Sequence, residues 1–115
     1  MGYRSQVILA VSKEVMPQFM STMAKSPEAR TMCFSDADRT VKDYDEDGGM
    51  LFYWDHIKWY NNFESVQAIE DFMDWAEGEE HEDKFKFLRT GEEFDDNEQR
   101  GWGFCNIYVN RSIEF

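Results

Sequence analysis

The run Val7-Ile8-Leu9-Ala10-Val11, VILAV, decides the fold. It ends a segment from Tyr3 to Val11 that reads as a strand. A strand with one wet face alternates apolar and polar residues. An unbroken apolar run fits a central strand covered on one face or on both. The rest of the chain is then read for what pairs with this strand and what lies over it.

Ser12 can cap a helix, and Met16, Phe19, Met20 and Met23 follow at i, i+3, i+4 and i+7 on one helical face. Pro17 belongs in or near the first turn. Ser26 offers a second cap, with Pro27 at the first helical position, and the chain from there to Asp38 reads as a short helix or irregular. Arg39 to Tyr44 alternates weakly, and Met50 to Lys58 is a strong strand. Between them DEDGG (45–49) makes the pair a hairpin. Ser65 caps VQAIEDFMDWAE (66–77), stopped by Gly78. Val66, Ala68, Ile69, Phe72, Met73, Trp75 and Ala76 fill one half of its wheel, and acids fill the other. KFKFLRT (84–90) alternates as a strand, GEEFDDNEQRG (91–101) reads as a polar loop, and the chain beyond holds the last strand.

This order predicts one α+β domain over residues 1–115: a ferredoxin-like β-α-β-β-α-β order plus one C-terminal strand, with a mostly antiparallel sheet and two helices on one face. Ten Phe, five Tyr and four Trp exceed what one sheet face can hide, so the second face needs a cover or a partner.

Composition narrows the function classes. Cys33 and Cys105 are too few for a disulfide framework and fit a reducing compartment. No apolar run approaches the roughly 20 residues of a membrane span. The opening MGYRSQVILAVSKE lacks the pattern of a secretory signal. The expectation is a soluble protein of the cytoplasm. Twenty-four acids against twelve bases give a net charge of −12. Such a chain repels nucleic acid and anionic membranes and attracts basic proteins. No Lys or Arg stands between Lys58 and Lys84, whereas nine acids do. GEEFDDNE holds Glu92, Glu93, Asp95, Asp96 and Glu98.

DYDEDG (43–48) matches the start of a calcium loop, with Asp43, Asp45 and Asp47 at alternate positions before Gly48. The twelfth position, where a bidentate Glu belongs, is Trp54, and the flanks read as strands. A calcium ion on the three aspartates therefore stands beside the plainer reading of an acidic hairpin turn, and no other cofactor is expected. His56 and His81 lie in different elements without a second ligand at metal spacing. No nucleophile elbow, dyad or phosphate loop is recognisable, and GWG (101–103) is too short to count as one. The expectation is a protein that is not an enzyme.

Two surfaces remain. Tyr53, Trp54, Trp59 and Tyr60 are residue types that dominate binding interfaces, and they also suit a core. By alternation, Phe52, Trp54 and His56 share one face of their strand, and Tyr53, Asp55 and Ile57 share the other. On the helix, Glu70, Asp74 and Glu77 climb one side in steps of about 6 Å and about 4.5 Å, close in scale to DNA phosphates, with Asp71 beside them. Together with Glu92, Glu93, Asp95 and Asp96 they could meet a basic partner; equally, they are a solvated face.

MGYRS, WDHIKWYNNFESVQAIEDF and FKFLRTGEEFDD resemble a family of small acidic bacteriophage proteins. The resemblance covers the start, the middle and much of the C-terminal half, and carries over no functional residue. It implies a phage accessory protein in the host bacterial cytoplasm. Such a protein would inhibit a basic host or defence protein by binding it, as an anti-CRISPR, anti-restriction or host-takeover factor, with DNA mimicry as one form of that binding. The alternatives are a small-ligand or calcium-binding module and a homodimer built on the second sheet face.

Overall fold

The computed structural model describes residues 2–42, 48–93, 95–104, 108–109 and 113–114. The fold is α+β. Strands β1 (Ser5–Val11), β2 (Arg39–Lys42), β3 (Met50–Ile57), β4 (Phe85–Thr90) and β5 (Asn97–Arg100) form one antiparallel sheet in the order β2-β3-β1-β4-β5. Helices α1 (Met16–Lys25), α2 (Pro27–Phe34) and α3 (Glu64–Gly78) cover one face. A separate two-stranded ladder joins β6 (Tyr108–Val109) to β7 (Ile113–Glu114).

Central strand β1 explains both layers. Val7 to Val11 are all 0 % exposed. Val7, Leu9 and Val11 point with Phe52, Trp54 and Phe87 into the helix-side core, joined by Phe19, Met23, Ile69, Phe72 and Met73. Ile8 and Ala10 point the other way and cluster with Leu51 and Leu88, against Val41, Tyr53 and Phe104. The β6–β7 ladder lies against β1 and β4. Both of those strands already have neighbours on each side within the sheet, so the ladder must sit on the face that the helices leave open. The described residues of the C-terminal segment therefore lie over part of the second face.

Several local readings change. Three helices replace the two expected, because Ser26 does cap a second one: its Oγ accepts the Ala29 N–H at 3.2 Å, with Pro27 in the first turn. Ser12 makes no side-chain cap, and a 3-10 turn over Lys13–Val15 precedes α1. Met20 lies outside the core at 45 % exposure, while Phe19 and Met23 are buried. The fifth sheet strand comes from NEQR within the segment read as a polar loop. The residues beyond it form their own ladder instead of joining the sheet.

A bulge re-phases β3. Ser5 pairs with Ile57 but Val7 pairs with Trp54, so β3 carries one extra residue between them. Asp55 and His56 are both exposed, and Ile57 packs with the helix-side core instead of sharing Tyr53's face. The Asp55 N–H finds the Asp38 carboxylate at 2.7 Å.

Phe52 ties the layers together. It is fully buried, with ring centroids 5.5 Å from Phe19, 5.4 Å from Phe34 and 6.3 Å from Trp54. Replacing it by Ala removes that packing and leaves a cavity. We expect Phe52→Ala to cost about 3–5 kcal/mol in denaturant unfolding, with an unchanged slope.

Candidate docking surfaces

The acidic stripe of α3 has a partner inside the chain. Arg100 ends β5 opposite Phe87, so its side chain leaves the sheet on the helix face. Its guanidinium donates from Nε to Glu77 Oε2 at 3.0 Å and from Nη1 to Glu70 Oε2 at 2.5 Å. Nη2 donates to Asp74 Oδ1 at 2.7 Å and Glu77 Oε1 at 2.8 Å. One planar fork thus satisfies three carboxylates on successive turns. The bonds to Glu77 and the neighbouring acids hold Arg100 firmly charged. Burial pushes the Glu70 carboxyl up, with Arg100 pulling it back down. The stripe fastens α3 to the edge of the sheet, and Asp74 stays exposed while paired.

The 92–98 acids are likewise engaged. Arg89 donates to Asp96 at 2.8 and 3.2 Å, to Glu98 at 3.1 Å and to Ser5 Oγ at 3.2 Å. Tyr3 donates its hydroxyl to Asp96 at 2.6 Å and accepts the Glu93 N–H at 3.0 Å. The Glu92 carboxylate accepts the Arg4 N–H at 2.5 Å. The loop is therefore pinned to the N-terminal segment, and Glu92, Glu93 and Asp95 are its exposed acids.

The aromatic candidates divide. Trp54 is 1 % exposed and donates its indole N–H to the Met32 carbonyl at 2.9 Å. Trp59 is buried between Trp54 and Phe87, at 5.7 and 5.6 Å. Neither can anchor a partner. Tyr53 is half-buried, its hydroxyl accepting from Gln6 Nε2 and donating to Asp55. Tyr60 is half-buried against Phe63. Asp71 is exposed and lines a groove of about 430 Å³ with Gln18, Thr22, Lys25, Glu28 and Gln67, between the α1–α2 junction and α3.

Asp43, Asp45 and Asp47 lie outside the described residues, as does Cys105. Among the described residues no three His, Cys, Asp or Glu side chains gather as a metal site, and no helix is long and apolar enough to cross a membrane. Cys33 is buried, and its thiol is pushed up to about 12 by that burial.

Sequence reasoning passed over Trp102. It is 64 % exposed, more than Met20, Phe34 and Phe63, the other large exposed apolar side chains among the described residues. Its backbone N–H bonds the Glu82 carbonyl at 2.8 Å, which sets it beside the segment carrying Glu79, Glu80, Glu82 and Asp83. The available signal was a tryptophan between two glycines. Models of protein families, curated proteins and solved structures were compared with the chain, and none matches.

Two predictions follow from the ion pairs. Glu70→Gln, Asp74→Asn and Glu77→Gln together strand Arg100, which is only partly exposed. The expected loss is about 1–3 kcal/mol in denaturant unfolding, reduced for solvent screening, and Arg100→Ala should cost a similar amount. Full stability in the triple variant would show that the clamp contributes nothing. For Asp96, the hydrogen bond from Arg89, helped by Tyr3, lowers the pKa from 3.8 to about 2. A depressed acid adds stability that is complete above the unfolded value and lost as pH falls through the folded one. Stability should therefore drop between 3.8 and about 2, and Asp96→Asn should remove that part of the drop in acid-titrated unfolding curves.

Proposed function

We propose that this protein is a non-enzymatic binder of a basic protein surface, of the small acidic bacteriophage type. It would act in the host cytoplasm by occupying part of a host or anti-phage defence machine, such as a CRISPR complex, a restriction enzyme or RNA polymerase. One observation carries this reading: a net charge of −12 on a chain in which two of the twelve bases, Arg89 and Arg100, are drawn into pairs with acids of the fold. Arg89 and Arg100 are spent on acids of the fold. Glu79, Glu80 and Glu82 have no cationic partner among the described residues. A surface of that sign draws in a basic partner and repels nucleic acid. We also read the β2-β3-β1-β4 core as a ferredoxin-like arrangement with β5 added at its edge; the strand order and antiparallel pairing support this.

The mechanism is steric and electrostatic. Because Arg100 already pairs with the α3 stripe, the acids without such a pair, Glu79, Glu80 and Glu82 among the described residues, carry the contact in this reading. Immobilised protein should retain a basic bacterial protein at low salt and release it at high salt. The purified captured machine should then lose activity in proportion to added protein, reaching full loss near equimolar amounts. Retention that ignores salt would overturn the charge mechanism. Inhibition by trace amounts would overturn the non-enzymatic one.

A further inference from the structure

We propose that Trp102 and the acids of residues 79–83 form one docking patch that takes an arginine-bearing segment of a partner protein. The inference rests on the basic-partner reading above and names the place and chemistry of contact.

The patch is built from two chain segments that fix each other. At the end of α3 the His81 N–H reaches the Ala76 carbonyl at 2.7 Å and the Glu80 N–H reaches Glu77 at 3.2 Å. Glu80 takes the left-handed conformation, φ 62°, that this helix ending requires and that usually falls to glycine. The turn over Glu82–Lys84 follows. Onto it folds residues 101–104. The Trp102 N–H bonds the Glu82 carbonyl, and the Gly103 N–H bonds the Phe85 carbonyl at 3.0 Å. Gly101 sits at φ 73°, and a Cβ there would stand 2.4 Å from the Phe85 carbonyl oxygen. Phe104 is held at φ 58° and packs onto the second-face cluster. The backbone on both sides of Trp102 is thus fixed while the indole stays in solvent.

A rigid loop that displays a large aromatic loses little entropy on binding. An exposed indole whose backbone is bonded to an acidic segment suits a guanidinium better than an ammonium. Arginine stacks its plane on the ring and turns its edge donors toward the acids. Charge complementarity selects a basic protein segment over a second copy of this chain, which would bring like charge to like.

The test uses the whole protein and two peptides, one of alternating arginine and glycine and its lysine–glycine counterpart. In isothermal titration at low salt the arginine peptide should bind more tightly. Trp102→Ala should weaken it about fivefold and erase the preference over lysine. Glu79→Gln, Glu80→Gln, Glu82→Gln and Asp83→Asn together should weaken both peptides and flatten the salt dependence. The distant pair Glu93→Gln and Asp95→Asn should change little. Without any substitution, the Trp102 indole N–H resonance should move on titration while those of Trp54 and Trp59 stay. If the peptides bind but the Trp102 resonance stays still, or the distant pair matters as much as residues 79–83, this patch is wrong and the basic-partner reading stands. If neither peptide binds at low salt, both fall.

Discussion

The covering of β1 on both faces is the constraint on which the structure depends. Val7 to Val11 expose nothing, so neither side of the central strand can be left to water. The helices can close only one side. On the other, the β6–β7 ladder lies against β1 and β4. At this length an open apolar face would forfeit much of the buried area on which stability rests. The bulge at Asp55 and His56 serves the same end. It lets β3 finish with Ile57 turned to the helix-side core, at the place where alternation alone would have sent it away.

A second constraint comes from having twice as many acids as bases. Each base that pairs inside the fold must serve more than one acid if the acids near it are to be neutralised. Arg89 takes Asp96 and Glu98, and Arg100 takes Glu70, Asp74 and Glu77. These clusters explain how a strand as polar as NEQR can exist. Its helix-face positions are Glu98 and Arg100, and both are held by charge where other strands are held by apolar contact. The edge is finished by ion pairs, which also makes it a poor template for further strand addition.

This explains what was legible in the sequence and what was not. Strand β1, the β2–β3 pair, α3 and β4 all announce themselves through apolar periodicity, and their positions follow from it. Strand β5 carries no such period, because its partners are arginines and carboxylates distant in sequence. Met20 fits the apolar spacing of α1, yet the face that meets the core runs through Phe19 and Met23 and leaves Met20 at its margin. Of the candidate site, the acids of α3 were visible as a stripe. Their engagement was not, since Arg100 lies thirty residues from Glu70 in the chain. Trp54 and Trp59 looked like anchors because residue type does not distinguish a core ring from a surface ring.

Trp102 illustrates the converse. A tryptophan flanked by glycines looks mobile in sequence, and flexibility would let the ring fold back onto the protein. Here the glycines do the opposite. Gly101 is required because the backbone passes against Phe85 with no room for a side chain, and at a φ that favours glycine. The turn is thereby fixed, and Phe104 beyond it is anchored in the second-face cluster. With both flanks held, the indole remains in water at a hydrophobic cost of about 1.5–3 kcal/mol relative to burial. That ring is held out against this cost beside Glu79, Glu80 and Glu82, which have no cationic partner among the described residues, and this is the observation on which the proposed docking patch rests.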